Sequence, residues 1–303
     1  MGRAKLAVGL PVYNGENYLA ETLQALLGQT FRDFTLTIAD NASTDDTSSI
    51  IKAIAGDDPR VTVLRQHSNL GAAPNFNAAY HAAPPSDYYV WVAHDDVPQP
   101  HFFEACVAAL DEHPEAVLAY TTTAKIDPAG EIVELFVKRP LLQSKDRATR
   151  LVNSLSHKSN HPIFGVMRRS ALDRTRLHGS YTGSDRTLLA EMALLGPFIE
   201  LDEVLFHLRE HPERSVRVAT RRDQQAREAW FDTTRAGKVV FPRWRRMGDV
   251  IKAVGRTPMS WSDRLRCYGR LGKSVVAGHW KPLILDVMVA ARQLAARMSR
   301  TKD

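Results

Sequence analysis

Short apolar runs alternate with amphipathic segments along the first third of the chain. Four runs are rich in β-branched or aromatic residues and are bounded by turn residues, as buried strands are: Leu6–Val12, Phe34–Ala39, Val61–Leu64 and Tyr88–Ala93. Between them, apolar residues recur at helical spacing over Tyr18–Leu27 and again up to Ile54. Ser43, followed three positions later by Asp46, predicts a capping box that opens the second of these helices. Strands alternating with such helices predict βαβ units and a parallel sheet.

Beyond Asp96 the alternation is less regular, although apolar periodicity still predicts further elements. The pattern indicates helices at His101–Leu110 and Asp185–Leu195, strands at Ala116–Thr121 and Glu131–Val137, and apolar segments at Ile163–Met167 and Phe198–Leu208. From Ser215 onward it becomes helical, with Trp230, Trp244, Trp261 and Trp280 spread along it. We therefore expect an α/β domain over residues 1–214, with a Rossmann-like, mostly parallel sheet flanked by helices. A mostly helical C-terminal region should follow over residues 215–303.

Charge is distributed unevenly between these two regions. Residues 215–303 contain 20 Lys and Arg against 7 Asp and Glu, whereas residues 1–214 contain 20 against 27. An acidic domain followed by a basic region indicates a segment that meets an anionic surface, either lipid or nucleic acid. The basic region fits a peripheral element on an anionic membrane. It fits equally well a solvated helical cap over the binding cleft.

The overall composition is that of an ordinary globular protein, with 44% hydrophobic and 24% charged residues among 303. The two cysteines, Cys106 and Cys267, are too few and too far apart for a disulfide framework, so we expect buried thiols. The N-terminal residues lack the apolar stretch and cleavage site of a signal peptide. No run reaches the roughly 18 apolar residues that span a bilayer. The sequence predicts a cytoplasmic protein whose membrane contact, if any, is peripheral and at the inner face.

Polar residues follow each of the first four predicted strands. They are Tyr13 and Asn14, the run Asp40–Asp46, Asn69 with Gly71, and His94-Asp95-Asp96. Ligands bind at the carboxyl ends of strands in open parallel sheets, so these residues are candidates for a binding site. Adjacent carboxylates such as Asp95 and Asp96 repel unless a cation or a proton compensates them. Oxygen ligands favour Mg²⁺ or Mn²⁺, although Asp96 could instead cap the helix that follows Pro100.

The order and spacing of these motifs resemble those of family-2 glycosyltransferases, which have the nucleotide-diphospho-sugar transferase (GT-A) fold. The resemblance covers roughly residues 5–215. It rests on Pro11-x-Tyr13-Asn14, Asp40-Asn41-x-Ser43-x-Asp45, Asn69-x-Gly71, the strand-ending acids, Gly183-Ser184-Asp185, Gly196, and Arg209-x-His211 with Ser215 after it. The resemblance implies transfer of a sugar from a nucleotide diphosphate donor to an acceptor that the sequence does not identify. A glycan or a lipid-linked glycan would suit this chemistry.

The resemblance also implies roles for residues on the donor side of the site. Pro11 and Tyr13 would hold the nucleobase and ribose, and Asp40 would accept a hydrogen bond from the base edge. Asn69 and Gly71 belong to the same donor-binding set. For Tyr13 the alternative is core packing, and for Asp40 it is a helix cap.

The implied metal site departs from the family's usual Asp-x-Asp. Because this chain reads Ala93-His94-Asp95-Asp96, the first acid is absent. We assign the divalent metal, Mn²⁺ or Mg²⁺, mainly to Asp95, with Asp96 as a second ligand or a sugar contact. His211 matches the late histidine that many members carry near the metal, although a surface position before Pro212 explains it equally well.

The resemblance implies separate roles on the acceptor side. Asp185 matches the acid that inverting members use as the general base, which takes the proton of the attacking hydroxyl. The alternative is a first-turn acid that interacts favourably with the helix dipole. Arg168 and Arg169 follow an apolar segment that resembles the acceptor side, where a guanidinium could bind an anion. A solvated pair at a strand end is the simpler interpretation of these two arginines.

Three other classes of function remain open. A sugar-phosphate nucleotidyltransferase shares the fold type and an acidic metal site, but it normally has a Gly- and Arg/Lys-rich loop after the first strand. The segment Pro11–Glu16 is not such a loop. A nucleic-acid binder would use the basic region, yet the acidic strand ends would repel phosphate, which argues against a nucleic-acid partner. A non-catalytic sugar-nucleotide binding protein is the third class.

Overall fold

The computed structural model describes residues 4–136, 140–156, 160–212 and 224–300. Nine strands form one sheet within these residues. They are β1 (Leu6–Val12), β2 (Phe34–Asp40), β3 (Val61–Arg65), β4 (Tyr88–Trp91), β5 (Val97–Pro98), β6 (Leu118–Ile126), β7 (Ile132–Leu135), β8 (Val166–Arg168) and β9 (Phe198–Arg209). The four strands predicted before Asp96 are confirmed, each to within two residues at its carboxyl end.

The elements predicted after Asp96 are present, but several of their ends differ from the prediction. Strand β6 starts two residues after Ala116 and runs to Ile126. Strand β7 falls inside the predicted Glu131–Val137, of which Val137 lies outside the described residues. The apolar segment Ile163–Met167 divides into a short 3₁₀ turn and β8.

The sheet is mixed, with a parallel half that carries the predicted strand ends. Its order is β3-β2-β1-β4-β8-β6-β9-β5, and β7 pairs with β6. Strands β3, β2, β1 and β4 are parallel neighbours, so their carboxyl ends lie along one edge. Strand β8 is antiparallel to β4 and β6, and β6 is parallel to β9. The prediction of a mostly parallel sheet flanked by helices is therefore confirmed.

Eleven α-helices lie within the described residues. They are α1 (Leu19–Leu27), α2 (Thr47–Ala55), α3 (Ala72–Ala82), α4 (Phe102–Glu112), α5 (Arg147–Ser156), α6 (Arg169–Leu172), α7 (Ser184–Leu195), α8 (Gln224–Phe231), α9 (Pro242–Arg256), α10 (Trp261–Ser274) and α11 (Lys281–Arg300). The predicted capping box at Ser43 is wrong. Helix α2 begins at Thr47, and the Ser43 hydroxyl instead accepts a hydrogen bond from the Asn14 N–H at 3.0 Å.

The sheet is covered on both faces because successive strand side chains point to opposite sides. In β4, Tyr88 and Val90 join the apolar cluster beneath α1 and α4. Tyr89 and Trp91 join the cluster on the other face, together with α3 and α7. The free thiol of Cys106 is buried in the first cluster, as predicted.

The helices that follow residue 223 pack against the α/β part of the chain. Val250, Val254 and Cys267 share a buried cluster with residues of α5 and α7, including Leu151 and Leu194. The Cys267 thiol is thus buried as well. The proposed domain boundary near Ser215 lies outside the described residues, so the division into two domains stays a prediction. Among the described helices, none combines the length and the apolar character that crossing a membrane requires.

Candidate active site

The loops that follow β1 and β2 bind each other through their polar residues. The Gly15 N–H donates to the Thr47 hydroxyl at 2.8 Å, and the Thr44 N–H donates to the Asn14 side-chain oxygen at 3.0 Å. The Glu16 N–H donates to the Asp45 carboxylate at 3.0 Å. Several polar residues of the predicted site therefore stabilise loop structure. Tyr13 lies outside the core, because it is 40% exposed, whereas Pro11, two positions earlier, is buried.

Asp40, the last residue of β2, is held on both carboxylate oxygens. Its Oδ1 accepts from the Ser43 N–H at 2.9 Å, and its Oδ2 accepts from Arg65 Nη1 at 2.5 Å. The carboxylate is 2% exposed, whereas the Arg65 side chain is 51% exposed. Arg65, which the sequence reading missed, therefore offers a cationic group at the surface of this edge.

Asn69 and Gly71 connect the β3 end to the C-terminal helices. Asn69 Oδ1 accepts from Asn41 Nδ2 at 2.9 Å and from the Gly71 N–H at 2.8 Å. Gly71 has a φ of 92°, and a Cβ added there would lie 2.8 Å from Asp232 Cα. Thr233 also donates its hydroxyl hydrogen to the Asn69 carbonyl at 3.2 Å. These contacts explain both residue types, and their predicted role in donor binding stays a prediction.

Asp95 and His211 form a buried pair at the end of β4. Asp95 Oδ2 lies 3.0 Å from His211 Nε2, and both side chains are less than 10% exposed. The His211 ring packs 4.6 Å from the Tyr18 ring, centroid to centroid. Within the described part of the chain, His211 Nδ1 has no hydrogen-bond partner. The surface position considered for His211 is therefore wrong, because β9 carries this histidine back to the β4 end.

Arg209 fastens the segment that carries the two acids. Its backbone N–H donates to Asp96 Oδ1 at 3.0 Å, and its Nε donates to the Asp95 carbonyl at 3.2 Å. Its Nη2 donates to Glu21 at 2.5 Å, and the guanidinium lies 4.9 Å from the centre of the Tyr18 ring. Arg209 is 1% exposed. Asp96 does not cap the following helix, which begins at Phe102.

Asp185 lies in the first turn of α7, which begins at Ser184 directly after the left-handed residue Gly183. Asn160 Nδ2 donates to Asp185 Oδ2 at 2.6 Å, and the Arg186 N–H donates to Oδ1 at 2.9 Å. The second bond is the kind of first-turn contact expected of an acid at a helix start. The residue is partly exposed.

His178 links Asp185 to the end of β4. The His178 ring lies 4.9 Å from the Trp91 ring and 5.0 Å from the Phe76 ring, measured between centroids. Burial lowers the pKa of His178 to about 4, and the nearby Asp185 carboxylate acts in the opposite direction. A buried histidine outside any motif carries little sequence signal, and the sequence reading missed it. Through His178, the head of α7 lies near the carboxyl end of β4, the strand that leads to Asp95.

The family to which the chain belongs follows from its sequence. Residues 7–176 match the family described as Glycosyl transferase family 2. The chain belongs to glycosyl transferase family 2. A relative from Pasteurella multocida (strain Pm70), described as chondroitin synthase, is 30% identical over 129 residues. That match covers 42% of this chain but only 13% of the relative.

Solved structures of glycosyltransferases share the fold. Staphylococcus aureus TarS 1-349 in complex with UDP-GlcNAc matches with a TM-score of 0.65 and 17% identity, over 90% of this chain and 73% of that one. The mannosyltransferase PcManGT from Pyrobaculum calidifontis, in complex with GDP-Man and Mn²⁺, matches with a TM-score of 0.54 and 18% identity. The match spans 99% of this chain and 76% of PcManGT. The predicted GT-A fold and family are thus confirmed, and the nucleotidyltransferase alternative is not favoured.

The residues at the β4 end fit a divalent cation through two ligands. Asp95 Oδ2 and His211 Nε2 are close enough to bind one ion together. Asp96 contributes less readily, since its Oδ1 already accepts the Arg209 N–H. Among the described residues, no three His, Cys, Asp or Glu side chains come together as a metal site. A two-ligand arrangement suits Mg²⁺ or Mn²⁺, which typically complete their coordination with substrate phosphates and water.

The acceptor-side assignment of Arg168 and Arg169 does not agree with the geometry. Arg168 pairs with Tyr88, the first residue of β4, so both arginines lie at the opposite end of that strand from Asp95. Arg168 donates to the carbonyls of Ala116 and Leu110, and Arg169 donates to that of Pro84. Because β8 is antiparallel to β4, the arginines at its end cannot reach the predicted site. They are structural residues.

Proposed function

We propose that this chain transfers a sugar from a nucleotide diphosphate donor to an acceptor hydroxyl with inversion, assisted by Mn²⁺ or Mg²⁺. The observation that carries the proposal is that the Asp95–His211 pair and, through His178, Asp185 both lie near the carboxyl end of β4. The two groups provide the separate parts that such a reaction needs. The Asp95–His211 pair acts on the leaving diphosphate, and Asp185 acts on the attacking hydroxyl.

Asp185 acts as the general base in this proposal. The residue is partly exposed, and its carboxylate is oriented by Asn160 Nδ2 at 2.6 Å. It accepts the proton of the acceptor hydroxyl as the oxygen attacks the anomeric carbon from the face opposite the diphosphate. The His178 imidazole beside it has a pKa lowered to about 4 by burial and is therefore neutral near pH 7.

Asp95 and His211 would hold a divalent cation beside the donor diphosphate, and Asp96 follows Asp95 in the chain. When bound, the cation would neutralise charge on the leaving diphosphate. Arg209 keeps the two acids in register through its bonds to Asp95 and Asp96. On the nucleoside side, the exposed ring of Tyr13 is available to stack on the base, and Arg65, held by the buried Asp40, supplies a polar contact.

The test of the base is Asp185→Asn, with the exposed acid Asp57 changed to Asn as a control. We expect single-turnover transfer to slow by about 10²–10⁴-fold, because the amide has no basic lone pair for the proton. Donor affinity and melting temperature should change little, since size and much of the hydrogen bonding are kept. Transfer at nearly the wild-type rate, or a product that retains the donor's anomeric configuration, would remove Asp185 from this role.

The test of the cation site is Asp95→Asn. Nucleoside diphosphate binding is titrated by calorimetry with and without Mn²⁺. We expect the variant to lose the part of the affinity that depends on Mn²⁺ and to lose on the order of 10²-fold in transfer rate. Equal Mn²⁺-dependent affinity in the variant and the wild type would exclude Asp95 as a ligand.

The C-terminal helices suit peripheral contact with an anionic membrane, which would bring a lipid-linked glycan acceptor to the site. Trp261, Leu265 and Val276 are 74%, 67% and 81% exposed. They lie in a region where basic residues outnumber acidic ones, as an interfacial element requires. The protein should co-sediment with liposomes that contain anionic lipid, and salt should release it. A Trp261→Ser and Leu265→Ser double variant should stay in the supernatant. Sedimentation that ignores lipid charge would contradict the proposal.

A further inference from the structure

A cavity of about 270 Å³ adjoins the loop that leads to Asp185. Its walls come mainly from the segment that follows α8 and from the start of α9, outside the residues that match the family. The residues that matter here are Tyr181, Glu228, Arg235, Phe241, Trp244 and Arg245. The cavity is thus built by the C-terminal region against the loop that leads to the proposed base.

The cavity residues hold that loop directly. The Thr182 N–H donates to Glu228 Oε1 at 3.0 Å, and the Ser184 N–H donates to the Tyr181 carbonyl at 3.2 Å. Arg245 lies over the Tyr181 ring, 5.1 Å from its centre. Tyr181, which lines the cavity, thus precedes Asp185 by four positions in a loop that hydrogen bonds hold in place.

A second guanidinium flanks the same loop. Arg246 Nη1 lies 3.2 Å from the position that a Cβ on Gly183 would occupy. The pKa of Arg246 is lowered by burial and by the neighbouring Arg186 and Arg243, against the opposing effect of Asp185 and Tyr181. Cationic neighbours thus outweigh anionic ones around this group.

The nearby acids are already engaged. Asp286 accepts from the Arg243 N–H at 2.7 Å and pairs with the Arg243 guanidinium. Glu228 is buried, its pKa is raised by burial, and its Oε1 accepts the Thr182 N–H at 3.0 Å. Asp249 lies 3.8 Å from Lys252. Within the described residues, no carboxylate lies at salt-bridge distance from Arg245 or Arg246.

We infer that this cavity binds an acidic sugar unit of the acceptor, with Arg245, which lines it, recognising its phosphate or carboxylate group and Arg246, beside Gly183 on the same loop, adding positive charge. Guanidinium groups bind both kinds of oxyanion through paired hydrogen bonds. Phe241 and Trp244 are 43% and 50% exposed and give the cavity an apolar wall for the sugar ring, as ligand pockets commonly have. The inference rests on the proposed function, since it takes Asp185 as the base beside which the acceptor binds.

The test measures binding of glucose, glucose 6-phosphate and glucuronate by calorimetry, with Mn²⁺ and saturating UDP or GDP present to occupy the donor site. The wild type should bind at least one acidic sugar about 10-fold or more tightly than glucose, because hydrogen bonds to charged groups are strong. The two acidic probes separate a phosphate from a carboxylate. An Arg245→Gln and Arg246→Gln double variant should lose the preference.

Two further variants keep the result interpretable. Lys273→Gln removes a charge from an exposed position on α10 and should keep the preference. Arg245→Gln alone alters an exposed side chain, so it serves if the double variant does not fold. Equal binding of all three sugars by the wild type, or an equal loss in Lys273→Gln, would overturn the inference.

Failure of the proposed function would look different. Asp185→Asn should keep the preference for an acidic sugar while it loses transfer. If Asp185→Asn transfers normally, the assignment of the base is wrong whatever the sugar titrations give. If Asp185→Asn behaves as expected but the wild type binds glucose as tightly as the acidic sugars, only the acidic subsite is wrong.

Discussion

Arg209 offers the sharpest test of how the candidate site is held together. The Arg209→Met substitution keeps an unbranched side chain of moderate length and removes the guanidinium. The carbonyl of Asp95 then loses a donor in a buried setting. The carbonyls of Asp127 and Pro128 lose donors in partly buried ones, where water can replace them. Glu21 is 52% exposed, so solvent compensates much of its loss.

The magnitude follows from these contacts. A buried acceptor left without a donor costs about 1–3 kcal/mol, and loss of the contact with the Tyr18 ring adds roughly 0.5–1 kcal/mol. We therefore expect the free energy of unfolding to fall by about 2–4 kcal/mol. For a chain of this size that corresponds to a drop in melting temperature on the order of 10 °C. Residues that orient metal ligands are typically worth about 10–100-fold in metal affinity, so Mn²⁺-dependent nucleotide binding should weaken accordingly.

Thermal denaturation and calorimetric titration of UDP or GDP with Mn²⁺ measure the two effects on the same protein. The matched control is Arg32→Met, since Arg32 is exposed and donates to the Leu27 carbonyl alone among the described contacts. Arg32→Met should leave both quantities nearly unchanged. If Arg209→Met melts within about 2 °C of the control and binds nucleotide equally well, Arg209 does not organise the acids.

Three further predictions concern other parts of the site. Gly71→Ala should lower stability by at least about 1–3 kcal/mol, measured by denaturant unfolding, because the backbone at φ 92° favours glycine and the new Cβ meets Asp232. Since burial lowers the pKa of His178 from 6.5 to about 4, the unfolded chain gains a proton between these values that the folded chain does not. The free energy of unfolding should fall by up to roughly 3 kcal/mol as pH drops through this window. The melting temperature of His178→Phe should therefore depend less on pH between pH 7 and 4 than that of the wild type. Tyr13→Ala should weaken nucleoside diphosphate binding without lowering the melting temperature, and unaltered calorimetric affinity would mean that the ring does not contact the base.

The first half of the fold was readable from the sequence because its signals are local. Runs of β-branched residues between turn residues located β1 to β4, and parallel connectivity then required their carboxyl ends to share an edge. The acids and amides of the donor edge were found by the same reasoning. Helix α3 was missed because its sequence, with Pro74 and two asparagines, has weak helical character.

The sequence did not show which side chains contact one another in the folded protein. The sequence by itself determined the α/β class, the family, the polar strand ends, and Asp95, Asp185 and His211 as candidates. Only the tertiary structure decided that Asp95 pairs with His211 across 116 positions of the chain, and that Arg209 holds the acids in place. It also shows that Arg168 and Arg169 lie at the N-terminal end of β4, and that the C-terminal helices pack against the loop before Asp185. The reason is physical: residue type and spacing specify local conformation, whereas strand order and direction in the folded sheet determine which distant residues share an edge.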